Sequence, residues 1–174
     1  PPALGLPADA LWDLIRLGDL HDGWSDERRA ALEPTFVADA QGLLRITGRV
    51  KDLFKTSKGK YVTPAPIEDK LVMHAAVEAC CVTGANLGQP LGILMLNVEA
   101  SSAAAVERSA LEASLAAHLE AVNALLDPHE RLDCLVVVTQ PWTVESGLIT
   151  PTFKVRRNRI EDVYAVHYER WIVE

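Results

Sequence analysis

The sequence predicts an α+β fold: a small three-stranded sheet flanked by helices, plus a two-stranded hairpin. Three observations carry that prediction. Apolar, β-branched runs of strand length occur at 77–83, 91–98 and 132–138. Helix-period segments lie between and after them, the longest from 103 to 126. Ahead of them, Leu44 and Ile46 alternate with Arg45 and Thr47, as a half-buried strand does. Strands interleaved with helices on this scale make one compact layered domain.

The first forty residues pattern weakly, with short helices expected around Leu11–Leu17 and Ser25–Leu32 and a turn-rich link between them. From Leu44 to Phe54 the alternation predicts a hairpin-like pair of short strands, with a turn at Gly59 and a brief extended piece at Tyr61-Val62. Pro64 and Pro66 pre-set a helix start, with Glu68 and Asp69 in its first turn and Ile67, Leu71 and Val72 facing inward. The long helix is expected to be capped by Ser101 or Ser102. Val106, Leu111, Leu115, Leu119, Val122 and Leu126 form its apolar stripe, and Asp127-Pro128 stops it. The tail from Arg159 to Trp171 reads as helix, with Ile160, Val163, Tyr164 and His167 on one side.

The chain has 174 residues, 17 of them Lys or Arg and 24 Asp or Glu, for a net charge of −7. That balance argues against general nucleic-acid or anionic-membrane binding, which needs a broad positive excess. Yet six bases and one acid lie between Arg45 and Lys60, and four bases and no acid between Lys154 and Arg159. These islands carry +9 and leave −16 elsewhere, a pattern that suggests a local anionic ligand.

Three cysteines, Cys80, Cys81 and Cys134, sit in apolar runs and make neither a disulfide framework nor a metal-ligand spacing, which fits a reducing, cytoplasmic setting. Cys80 and Cys81, as strand neighbours, should face opposite ways. His74, His118 and His167 lack spaced ligand partners, so no metal site is expected. No run is long enough to be a transmembrane segment. The start lacks a signal-peptide pattern, and it opens Pro-Pro-Ala rather than with Met, as an excised domain would.

The first island lies in LRITGRVKDLFKTSKGKYVTPAPIE (44–68) and the second in GLITPTFKVRR (147–157). The first resembles the hinge motif of adenylate-forming enzymes, the AMP-binding or acyl-CoA synthetase superfamily. The second resembles the catalytic-lysine motif of the long-chain fatty acid branch. Both occur in the family's order with a small sheet between them. The resemblance implies that residues 1–50 are the end of a large N-terminal domain and a linker, and 51–174 the small C-terminal domain. It implies an enzyme that activates a carboxylic acid with ATP and Mg2+ to an acyl-adenylate, then passes the acyl group to coenzyme A. The partners would be that large domain and the small-molecule substrates: fatty acid, ATP and CoA. Without the large domain the chain is expected to be inactive. In the full-length enzyme peripheral membrane association is compatible with the cytoplasmic reading.

Residue by residue, the resemblance assigns adenylation to Lys154. A positioned ammonium there offsets the repulsion between a carboxylate and the α-phosphate it attacks. Arg49 matches an arginine near the ribose and phosphates, and Lys51 the hinge about which the small domain rotates. Lys55 and Gly59 match the loop facing the active site in the thioester-forming, CoA-facing arrangement. Asp19, in a Gly-Asp pair, matches the ribose-binding acid, but over twenty residues separate it from the hairpin where the family has few. Read without the family, Lys154, Lys51, Lys55, Lys58 and Lys60 are equally members of solvated charge runs. Arg156, Arg157 and Arg159 are structural or weakly ligand-attracting. The alternative function is a non-catalytic anion- or partner-binding domain reusing this fold.

Overall fold

The computed structural model describes residues 36–38, 44–46 and 52–173. The chain divides into two compact units, Pro1–Leu53 and Phe54–Glu174. In the first, β1 (Phe36–Ala38) and β2 (Leu44–Ile46) pair antiparallel, with Val37 opposite Arg45. The alternation from Leu44 did mark a strand, but its partner lies upstream rather than at 50–54.

The second unit begins with a hairpin of β3 (Phe54–Lys55) and β4 (Tyr61–Val62). Helix α1 (Pro64–Leu71) follows with proline at its start, as proline's fixed φ favours. It buries Ile67 and Leu71. Val72 was expected inward but is 44% exposed, because the helix has already ended. Glu68 lies beyond the first turn and has a different task, described below.

The sheet has the order β5-β6-β7: β5 (Val77–Thr83) antiparallel to β6 (Leu91–Leu96), and β7 (Leu135–Val138) parallel to β6. Strand β6 stops before residue 98 because Asn97 caps the short helix α2 (Val98–Ser101), its side chain accepting from Ala100 N at 2.9 Å. Ser101 and Ser102 therefore do not cap the long helix α3 (Ala105–Asn123); Ala104 precedes it, its N–H donating to the Glu107 carboxylate at 3.1 Å. The tail is three pieces rather than one helix: α4 (Arg157–Tyr164), a 3-10 turn (Ala165–His167) and α5 (Tyr168–Val173). Ile160 and Tyr164 are buried, whereas Val163 and His167 are exposed.

Strand alternation divides the core. On one face Cys80, Val82 and Leu94 pack with Leu71, Leu115 and Val122 from α1 and α3. On the other, Cys81, Leu91 and Ile93 pack with Trp142, Leu148, Ile160 and Tyr164. The second cluster carries the Lys154 segment.

Candidate functional site

Lys154 sits in a tight hairpin. Ile149 and Val155 form an antiparallel bridge, and Arg156 N donates to Leu148 O at 2.9 Å. Inside the bridge, Thr150 N donates to Lys154 O at 2.9 Å and Phe153 N to Thr150 O at 2.8 Å. The Thr150 hydroxyl accepts from Lys154 N at 3.1 Å and lies 3.0 Å from the Thr152 hydroxyl. The Thr-Pro-Thr-Phe-Lys spelling thus closes its own loop: the first threonine supplies the acceptor that a short turn leaves its amides without. Buried Leu148 and Trp142 anchor the base of the hairpin, while Lys154 is exposed. Among the described residues the ion pairs are Arg157–Glu68 and Arg159–Asp162, neither made by Lys154.

Arg157, three residues on, fastens the hairpin to the sheet. Its Nη2 lies 2.7 Å from Glu68 Oε1, with 17% and 20% of the two side chains exposed. Its Nη1 donates to Val82 O and reaches Cys81 Sγ at 3.3 Å. Glu68 Oε1 also accepts from Val82 N at 2.7 Å. β5 is an edge strand, and this pair occupies the N–H and C=O that Val82 turns away from β6. Arg157 is therefore structural, and Glu68 is its necessary complement. Only the fold shows that role, since the two are far apart in sequence.

Lys55 and Gly59 share the other basic loop. Thr56 N donates to Lys60 O and Gly59 N to Thr56 O, both at 2.9 Å, with Gly59 at φ 76°. A left-handed residue closes this turn, where glycine carries no steric cost. Ser57 N donates to Leu87 O at 2.8 Å and Asn86 N to Lys55 O at 2.9 Å, so the loop is tied to the β5–β6 connection. The Lys55 ammonium sits 5.4 Å from the Tyr61 ring centroid, a cation–π distance. The Lys58 ammonium donates to Gln89 Oε1 at 3.3 Å, and Lys60 is exposed. The structure thus offers two separately mounted cationic loops.

Asp19, Arg49 and Lys51 lie outside the described residues. His74 and His118 meet edge-on at 5.2 Å between ring centroids, with His74 held to Ser114 and to Ala76 N. Burial, aided by His118, lowers the His74 pKa. Among the described residues no three His, Cys, Asp or Glu side chains converge as metal ligands. Burial pushes the Cys80 and Cys134 thiols upward, away from the reactive thiolate. No helix among the described residues is long and apolar enough to cross a membrane.

Residues 51–170 match the family described as AMP-binding enzyme C-terminal domain. The chain is 28% identical over 140 residues to the probable acyl-activating enzyme 16, chloroplastic, of Arabidopsis thaliana, covering 74% of this chain but 19% of that protein. It is 28% identical over 145 residues to the long-chain-fatty-acid–CoA ligase FadD15 of Mycobacterium tuberculosis, covering 75% and 24%. The adenylation domain of a carboxylate reductase from Mycobacterium chelonae superposes with a TM-score of 0.65 at 22% identity, over 87% of this chain and 26% of that one. The last likeness is one of fold. In each case this chain spans about a quarter or less of the length of the protein it matches, between 19% and 26%.

Proposed function

The chain belongs to the AMP-binding enzyme C-terminal domain family, and on that premise we propose that it is the moving domain of an ATP-dependent acyl-CoA ligase of the long-chain fatty acid type. The observation that carries this reading is the Lys154 hairpin: a rigidly closed loop presenting one exposed ammonium. In the first half-reaction a substrate carboxylate attacks the α-phosphate of ATP, and pyrophosphate leaves. Lys154 would sit against the oxygens where negative charge concentrates, lowering the repulsion between the two anions. A compact point charge on a long stem suits delivery from one domain into another.

In the second half-reaction the thiol of coenzyme A attacks the acyl-adenylate carbonyl and AMP leaves. The loop carrying Lys55 and Gly59 would face the site there, its cations drawing the phosphates of coenzyme A. Lys51 would be the hinge between the two arrangements, Arg49 a contact to ribose or phosphate, and Asp19 the ribose acid. ATP enters with Mg2+, which offsets polyphosphate charge. In the proposed ligase the ligands of that ion would come from the large N-terminal domain and the ATP phosphates. The preference for a long acyl chain follows the name of the Mycobacterium tuberculosis relative and the Thr-Pro-Thr-Phe-Lys spelling. The pocket that measures the chain would lie in the large domain. This chain alone is then inactive.

The test is Lys154→Ala in the polypeptide that includes the large domain. Pyrophosphate release should fall by about a hundredfold or more, the cost of removing one preorganised charge. Thioester formation from supplied acyl-adenylate should persist. Unchanged pyrophosphate release would remove the assignment and leave the non-catalytic reading.

A further inference from the structure

Phe153 adopts φ 57°, in the left-handed region, and 81% of it is exposed. Both features are costs. An L-residue with a full side chain is strained there by about 1–2 kcal/mol, and an exposed ring forgoes the burial that usually stabilises an aromatic. The hairpin gains nothing from either. Its closure uses the Phe153 amide, which donates to Thr150 O at 2.8 Å, and the threonine side chains; glycine would close it with less strain. Strain without local return points to a use elsewhere. The same closure that fixes Lys154 fixes Phe153 beside it, so a partner receiving the ammonium meets the ring as well.

We propose that Phe153 is a positioning residue: its ring inserts into an apolar recess of the large domain only when Lys154 is delivered to the reacting phosphate, and so weights the domain toward the adenylating orientation. This inference rests on the ligase reading above. The occupant is the rest of the same polypeptide, since the relatives carry this domain as a quarter or less of their length and the ring adjoins the delivered residue. A contact made in one orientation and absent in the other shifts the equilibrium between them. Its loss should therefore be felt in one half-reaction only.

The experiment uses the polypeptide that includes the large domain and measures both half-reactions for Phe153→Gly, Phe153→Asn and Phe153→Leu. Glycine and asparagine both accept the left-handed backbone and lack the ring, but asparagine keeps the loop stiffer. Both should slow pyrophosphate release about tenfold to a hundredfold, the equivalent of a buried aromatic side chain. Thioester formation from supplied acyl-adenylate should stay within about twofold of wild type, and Phe153→Leu should recover most of the adenylation rate. The melting temperature of the 174-residue chain should not fall with Phe153→Gly.

A full adenylation rate in Phe153→Asn would overturn the proposal, as would equal slowing of both half-reactions or a lowered melting temperature in Phe153→Gly. Lys154→Ala separates the two levels. If it leaves pyrophosphate release intact, the ligase reading falls. If it abolishes release while the Phe153 variants are silent, only the docking role falls.

Discussion

Replacing Arg157 with methionine tests whether the candidate lysine is carried on a stiff mount. The substitution keeps much of the stem and deletes the ion pair to Glu68, the bond to Val82 O and the contact with Cys81 Sγ. With 17% and 20% of the two side chains exposed, the pair lies between a surface pair and a buried one. Surface pairs contribute about 0–1 kcal/mol, and breaking a buried one costs about 3–5 kcal/mol. Glu68 keeps its bond from Val82 N, so part of its charge stays solvated by the protein. A loss of about 2–3 kcal/mol follows, or roughly 10 °C in melting temperature for a unit of this size. Urea unfolding followed by circular dichroism should show the midpoint falling by about 1.5–2 M with an unchanged slope. Glu68→Gln should cost less, and the double variant should show a coupling of about 1.5 kcal/mol. A coupling below about 0.5 kcal/mol would mean that the pair is a solvated surface contact and that the mount is held by its backbone bonds alone.

Burial pushes the Tyr168 hydroxyl up to about 12 from 10.0, so the folded chain keeps this proton where the unfolded chain releases it. Stability is then lost as pH rises from about 10 to about 12. Tyrosinate absorbance should show a late-ionising component that disappears in Tyr168→Phe; its persistence unchanged in that variant would contradict the assignment. Gly84 sits at φ 135°, and a Cβ there would lie 2.9 Å from Pro90 Cα, so Gly84→Ala should cost about 2–3 kcal/mol in urea unfolding. Gly88→Ala, where a Cβ meets open space, should be close to neutral and serves as its control.

What could be read from the sequence, and what could not, follows the range of the interactions involved. Strand β5 was legible to the residue because its apolar run is set by burial on both faces, and the split of Cys80 from Cys81 follows from strand alternation. Errors gathered at helix ends. Ser101 and Ser102 looked like caps, but Asn97 had already started a helix ahead of them, and Glu107 reaches back to the Ala104 amide instead. The glutamate three residues into the helix was the usable signal. The basic islands marked the two stretches that fold into the Lys154 hairpin and the Lys55–Gly59 loop, and the residues within them were named by the family resemblance. The bond between Glu68 and Arg157 has no local signature, because a carboxylate in a helix and a guanidinium in a basic run both look solvated until the edge of β5 is placed between them. The backbone of Phe153 was hidden for a different reason: nothing in the sequence announces a left-handed aromatic.

The two cationic loops differ in composition but share a mode of attachment, and that bears on how one domain could serve two reactions. The Lys154 hairpin is fixed through Arg157 to β5, and the Gly59 hairpin through Ser57 and Lys55 to the connection leaving β5. Neither loop can exchange places with the other by local rearrangement without breaking these bonds, the Arg157 contacts for one and backbone hydrogen bonds for the other, each hydrogen bond worth about 1 kcal/mol net and more when left unsatisfied. If the proposed ligase presents first one tip and then the other, the whole unit from Phe54 onward would have to turn. On the proposed reading the turning point would lie ahead of Phe54, and Lys51, proposed above as the hinge, lies three residues before it. On that proposal, once a stiff body had turned, the flexible lysine stem would make the last adjustment that brings the ammonium to the phosphate. Stiffening the chain at Lys51, as with Lys51→Pro, should then trap one half-reaction at the expense of the other. Equal rates in both would place the turning point elsewhere.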